Sequence, residues 1–373
     1  MEKEPQIFSN EKERSTEGLE KIFKYYKGEA HAHSLDSMRA SIGGKDEKGV
    51  HRDSRLLQYA EKLGLDFVVF SEHSSSSADP RELDEDDEIC KALLREQEGV
   101  NDLNKMGYGA KAYSAVEANI FFNEGGEAVI DVPNSILEKK DLVIASRHSI
   151  DSSRDPEKIK ESLLVAINNP NVDIIGHPYK DIEFYSRDFN YFKEYYREKN
   201  PQVYNLLVEV EKTEDWDKVK KIIGKIDIER GESNEDILND LNRNFTELEG
   251  KYWESWDEIL DAMEKEGKIF EINLNAFTPS KSFYKKILEE ASKRSGLKFS
   301  IVFDFHNLSQ AKNFKDKDLE NNPIPGAKSP TQKKASQKML DLVELLESLN
   351  ISPDRIINSS KKSFSEFIDR HQQ

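Results

Sequence analysis

Residues 52–73 read RDSRLLQYAEKLG, then LDFVVF, then Ser71-Glu72-His73, and the order of these three pieces decides the fold class. The first piece has apolar residues at helical spacing and ends at a glycine. The second is a short, β-rich apolar run, and it stops at polar side chains able to bind a metal ion. The same plan recurs along the chain. DLVIAS (141–146) precedes Arg147-His148, VDIIG (172–176) precedes His177-Pro178, KIFEINLN (268–275) carries Glu271, Asn273 and Asn275, and FSIVF (299–303) precedes Asp304-Phe305-His306. Strands that are apolar throughout and separated by helices belong in a parallel sheet covered on both faces. Adding KGEAHAH (27–33) and YSAVEANIFF (113–122) brings the count to about seven, near the eight of a full (β/α) barrel. The expected fold is therefore α/β, a slightly incomplete barrel. Its polar strand ends should meet at one mouth, because functional groups in such barrels sit at the C-terminal ends of the strands.

Two stretches interrupt the plan. Residues 75–111, Ser-rich and then acidic, read as a loop and a helix over that mouth. Residues 181–265 read as helices and hold all three tryptophans, Trp216, Trp253 and Trp256. They form either an inserted helical cap or enlarged outer helices, since insertions after strand ends are readily tolerated. Residues 1–26 are expected to be a helical extension and 27–373 the barrel. A Pro/Gly/Ser linker, DLENNPIPGAKSPTQ (318–332), leads to a C-terminal helix over 332–349.

Of the 373 residues, 36% are hydrophobic and 34% charged, so apolar content must be concentrated in strands and helix faces. The formal net charge of −17 opposes broad attraction to a nucleic-acid backbone and disfavours long duplexes as partners. A metal cluster supplies local positive charge, so a small phosphorylated substrate or a nucleotide remains compatible with an acidic protein. No apolar run approaches the roughly 18 residues of a membrane span, and the N-terminus MEKEPQIFSN lacks a basic-then-apolar leader, so a cytoplasmic, non-membrane protein is expected. The single Cys90 rules out an internal disulfide and a thiolate zinc cluster. Any metal must therefore sit on nitrogen and oxygen.

His31-Ala32-His33 ends the first strand, where alternate residues share a face and two imidazoles can grip one ion. A lone His-x-His is weak, but His73, His148, His177, Asp304 and His306 all close strands of the same sheet. Six of the eight histidines thus converge, leaving only His51 and His371 in polar surface contexts. Glu117 interrupts the apolar strand AVEANIF, and a buried carboxylate there needs either a salt-bridge partner or a metal. Its two oxygens make it the candidate bridge between two cations. Arg147 and Lys180 lie beside these strand ends, where each is either a phosphate-neutralising cation or an ordinary solvated charge.

This set, His31-x-His33, Glu72-His73, Glu117, His148, His177-Pro178 and Asp304-x-His306, resembles the polymerase and histidinol phosphatase (PHP) family of metal-dependent phosphoesterases, in the family's order and across residues 27–310. The resemblance implies a distorted seven-stranded, TIM-like (β/α) barrel holding two or three divalent ions, usually zinc, manganese or iron. It implies that His31, His33, Glu117 and Asp304 hold one ion, that Glu117, His148 and His177 hold a second, and that His73 and His306 belong to a third. The family's usual Asp-His is Glu72-His73 here. A further ligand expected after His-x-His falls in SLDSMRAS: Asp36 is the candidate metal ligand at a short spacing, while Arg39, nearer the expected place and unable to ligate metal, leaves the third ion weak, absent or replaced by a cation that grips phosphate. The implied activity is metal-dependent phosphate-ester hydrolysis by an activated water, as a phosphatase or as a phosphodiesterase or nuclease. Its rivals are a metal-dependent amidohydrolase, whose bridge is usually a modified lysine, and a non-catalytic metal-binding module serving a protein partner. The residues name no substrate.

Overall fold

Six strands are rich in β-branched and aromatic or aliphatic residues, β2 (Phe67–His73), β3 (Lys111–Phe122), β5 (Leu142–Ser146), β6 (Ile174–Gly176), β7 (Ile269–Asn273) and β8 (Lys298–Val302), and a seventh, β1 (Gly28–Ala32), is GEAHA. In the computed structural model these seven pair in parallel in the order β1-β2-β3-β5-β6-β7-β8. The short strand β4 (Ala128–Ile130) folds back antiparallel on the end of β3 through the NEGGE turn. The structure describes residues 20–33, 54–74, 80–83, 86–148, 156–179, 248–275, 282–304 and 330–371, with isolated positions at 18, 197, 201, 204, 205 and 208.

The fold is the α/β seven-stranded parallel barrel expected from the sequence. Helices α1 (Ser54–Lys62), α2 (Glu88–Lys105), α3 (Asn134–Leu137), α4 (Pro156–Asn168), α5 (Leu248–Lys265), α6 (Ser282–Ser292) and α7 (Pro330–Ser348) alternate with the strands. Period-two alternation divides the core. Val68, Phe70, Val143, Ala145, Ile175, Phe270, Ile272 and Ile301 face the helices. Phe67, Val69, Tyr113, Ala115, Leu142, Ile144, Ile174, Ile269 and Val302 fill the barrel. The end of the 181–265 stretch belongs to the helical layer, since Trp256, Ile259, Leu260 and Met263 of α5 are all buried there. Among the described residues no helix is long and apolar enough to cross a membrane.

A segment absent from the sequence reading completes the barrel. β8 and β1 do not pair, and residues 356–359 fill the space between them. Asn358 donates from Nδ2 to Gly28 O at 2.7 Å and Ile301 O at 2.6 Å, and accepts from Ile301 N at 3.1 Å. One amide side chain thereby serves the backbone of both edge strands, which would otherwise bury unpaired polar groups. The following helix α8 (Lys361–His371) pushes Phe364, Phe367 and Ile368 into the mouth at the N-terminal ends of the strands.

Near that mouth Asp173 is buried, and its Oδ2 accepts the Val143 amide at 2.7 Å. Burial raises its carboxyl to about 7, opposed by that hydrogen bond and by the charge of Lys268. The folded protein therefore keeps a proton that the unfolded chain loses near the ordinary value of 3.8. Between these limits folding binds more protons, so this group's contribution to stability falls as pH rises. Asp173→Asn should gain stability relative to wild type between pH 4 and 7, by up to about 1.4 kcal/mol per pH unit. Urea melts of both proteins across that range check this; a difference independent of pH would refute it.

Candidate metal centre

At the C-terminal mouth the strands deliver their polar residues to one point, Glu117. Tyr113 and Ala115 of β3 face the barrel interior, so Glu117, two positions on, faces it as well and is fully buried. Its Oε2 lies 3.3 Å from His31 Nε2, 3.5 Å from His33 Nε2 and 2.8 Å from His73 Nδ1. Its Oε1 lies 3.0 Å from His148 Nε2 and 3.2 Å from His177 Nε2. Asp304 Oδ1 closes the first group, 3.1 Å from His33 Nε2 and 3.8 Å from His31 Nε2.

The first two histidines reach this point because β1 breaks its alternation. Glu29 pairs with Val68 while Ala32 pairs with Phe70, so three steps on β1 oppose two on β2. Such a bulge re-aims the side chains beyond it. Ala30 lies in the interior cluster and Ala32 in the outer one, leaving His31 and His33 to turn inward. At two other strand ends the backbone is unusual: His177 has φ 27° and Asp304 has φ 52°. Non-glycine residues seldom adopt positive φ, and such strain persists where the surroundings hold it. Gly176 just before His177 is required by close approach, since a Cβ there would run into Ser146 Oγ.

The charges balance within the cluster. Burial alone would raise the Glu117 carboxyl, but the charges of His31 and His148 and hydrogen bonds from His148 and His177 hold it well below the usual range. Burial opposes a charge on His31, yet Glu117, Glu271 and Asp304 raise its affinity for a proton well above normal. His33 is pushed down to about 4, chiefly by burial. Burial also lowers His148 against the pull of Glu117, whereas for His73 the adjacent Glu117 carboxylate prevails over burial and raises it.

This donor set suits divalent cations. His31, His33 and Glu117 form one group, and His73, Glu117 and His148 a second, each with ligand atoms within 4.8 Å of one another. His31 Nε2 and Glu117 Oε2, though 3.3 Å apart and fully buried, make no hydrogen bond. Two buried polar atoms facing each other in this way are what a shared cation satisfies. His73, assigned by resemblance to a third ion, here touches the shared carboxylate directly. Asp36, Arg39, Lys180 and His306 lie outside the described residues.

Arg147, which the sequence leaves open as a phosphate cation or an ordinary charge, is buried and turned to the outer face, its guanidinium donating to Ser162 Oγ and to Lys158 O at 3.5 Å on α4. The reason is alternation. Leu142 and Ile144 point into the barrel, so Ser146 and His148 follow them and the residue between points out.

Further side chains hold the imidazoles: Glu271 and Asn273, noted in the sequence only as strand-end polar residues, and Glu29, Asn119 and Asp131, which its patterning does not single out. Glu29 accepts from Tyr26 OH at 2.7 Å and from the amides of His31 and Phe303, both at 3.0 Å, tying β1 to β8. Asn119 Oδ1 accepts the His148 amide at 3.0 Å, while Asp131 fixes Asn119 by accepting the Asn119 backbone amide on Oδ1 at 2.8 Å. Glu271 and Asn273 contact the site from β7. Polar residues two apart in an apolar strand were the available signal.

Comparison with known proteins gives partial likenesses. No family model matches the chain. A stretch of 72 residues is 49% identical to a protein of Caldanaerobacter subterraneus named "Probable phosphatase", covering 19% of this chain and 27% of that one. A Thermoanaerobacter protein of the same name is 44% identical over 72 residues, 19% and 28% of the two chains. The chain thus spans little more than a quarter of the length of these relatives. Among solved structures, histidinol phosphate phosphatase from Lactococcus lactis, in complex with zinc, L-histidinol and phosphate, is 15% identical, covers 87% of this chain and 94% of its own, and superposes with a TM-score of 0.40.

Proposed function

We propose that the protein hydrolyses a phosphate ester with divalent metal ions held around Glu117. The observation that carries this reading is one fully buried carboxylate whose two oxygens face separate sets of imidazoles, His31, His33 and His73 on one side and His148 and His177 on the other. In this reading His31, His33 and Asp304 complete one ion's shell and His148 and His177 another's, with Glu117 common to both. Zinc, manganese or iron bound there would supply an acidified water and positive charge for phosphate oxygens. The chain's own part is to set ligand spacing with rigid strand ends and to keep the Glu117 carboxylate ionised. Lys180 and Arg39 stay proposed as cations for phosphate; Arg147 does not. The net charge of −17 favours a small phosphorylated metabolite, a nucleotide or a strand end over a long duplex.

The test is to strip the purified protein with a chelator and assay p-nitrophenyl phosphate and its diester with and without manganese or zinc. Hydrolysis should return only with metal, at two or three ions per chain. Stoichiometric metal with no hydrolysis of either ester would favour a non-catalytic module. Failure to bind metal at all would remove the reading.

A further inference from the structure

Strand β7 has no residue in the ligand set proposed above, yet both of its inward polar side chains grip that set. Glu271 is fully buried and uses each oxygen once: Oε2 lies 2.7 Å from His31 Nδ1, and Oε1 accepts the backbone amide of His177 at 3.0 Å. Asn273, two residues on and also buried, donates from Nδ2 to Asp304 Oδ2 at 3.0 Å. Its backbone N–H is bonded in turn to Tyr179 OH at 2.6 Å, and its Oδ1 accepts the Asn275 amide at 3.0 Å. Asn275 Nδ2 then donates to Asp304 O at 2.9 Å. β7 lies between β6 and β8, the strands that end in His177 and Asp304. These are the two site residues with positive φ, at 27° and 52°.

We infer that β7 is a positioning strand, in which Glu271 and Asn273 act through His31, His177 and Asp304 to set the geometry of the metal centre. The inference rests on the metal-site reading. A carboxylate at His31 Nδ1 holds an N–H on that nitrogen, so Nε2, beside Glu117, is the nitrogen that would give up its proton to a bound cation. Acceptance from Nδ1 also makes the imidazole a better donor to metal. The second oxygen anchors the amide of His177, where the chain must enter the left-handed region. One side chain therefore sets a ligand of each ion. Asn273 does the same for Asp304, pinning Oδ2 so that Oδ1 is left toward His33 and His31.

Glutamine is the informative substitution at 271, because its amide keeps the shape but has a single accepting oxygen. It can serve His31 Nδ1 or the His177 amide, not both, and its NH2 opposes whichever donor remains. E271Q is expected to bind zinc about 10- to 100-fold more weakly in chelator competition. It is also expected to lose or shift the downfield, slowly exchanging Nδ1 proton of His31 in NMR spectra of zinc-loaded, 15N-histidine-labelled protein, a change that loss of packing alone would not select. N273S should weaken zinc binding in the same range while leaving that proton in place. Unchanged affinity and an unchanged His31 proton in E271Q would overturn the inference alone. A wild-type spectrum lacking that proton overturns it even if neither variant folds. Absence of zinc binding by wild type would overturn the metal-site reading and this inference with it.

Discussion

Replacing Glu117 with glutamine is expected to remove divalent metal and phosphate-ester hydrolysis together while leaving the barrel folded. The carboxylate is contacted by five histidines, at 2.8 to 3.5 Å, and it is the group common to both clusters. Glutamine has nearly the same volume, so packing around β3 is preserved. Its amide has one accepting oxygen instead of two, and its NH2 faces either His31 and His33 or His148 and His177. One of the two ion shells then meets a donor where it needs an acceptor, and the negative charge offsetting the cations is gone. The loss should exceed the 10- to 100-fold typical of residues that only orient a ligand, so more than about 100-fold in affinity. Elemental analysis after metal-supplemented expression, paired with the ester assay, measures both. A variant retaining its metal would show that the clusters are held without Glu117.

The other large effect is expected at the opposite mouth, on stability rather than chemistry. Phe364 of α8 is fully buried, stacked on Phe67 at 4.0 Å between ring centroids and edge-on to Tyr113 at 5.1 Å. These rings come from β2, β3 and the C-terminal helix, and they plug a barrel whose interior would otherwise open to water. Phe364→Ala removes a whole ring from a site walled by strands, which cannot collapse inward. A cost of about 3–5 kcal/mol is expected, the range for such truncations in cores. The metal centre lies at the other end of the strands, so metal stoichiometry per folded chain should not change. Denaturant melts and elemental analysis of the folded fraction test the two halves. A cost under 1 kcal/mol would mean that α8 is not part of the folded core.

Much of the barrel was readable because its signals are local. A helix, a glycine, an apolar strand and a polar stop follow one another within about 20 residues, the span over which periodicity can be read. The convergence of His31, His33, His73, Glu117, His148, His177 and Asp304 followed from one topological rule, that parallel barrel strands end at the same mouth. The orientation of Arg147 was equally local, and period-two alternation places it outside.

What the sequence determined by itself, then, was the order of strands, their parallel sense and the identity of the side chains delivered to one end. The tertiary structure decided how those side chains meet. The bulge that turns His31 and His33 inward appears only as a register shift between β1 and β2. The grip of Glu271 on His31 spans 240 positions in sequence, and that of Asn358 on Gly28 spans 330. Hydrogen bonds of this kind depend on distances of tenths of an ångström between strands whose alignment is set by packing of the whole barrel. Residue spacing along a chain fixes faces, whereas contact between faces is a property of the closed sheet.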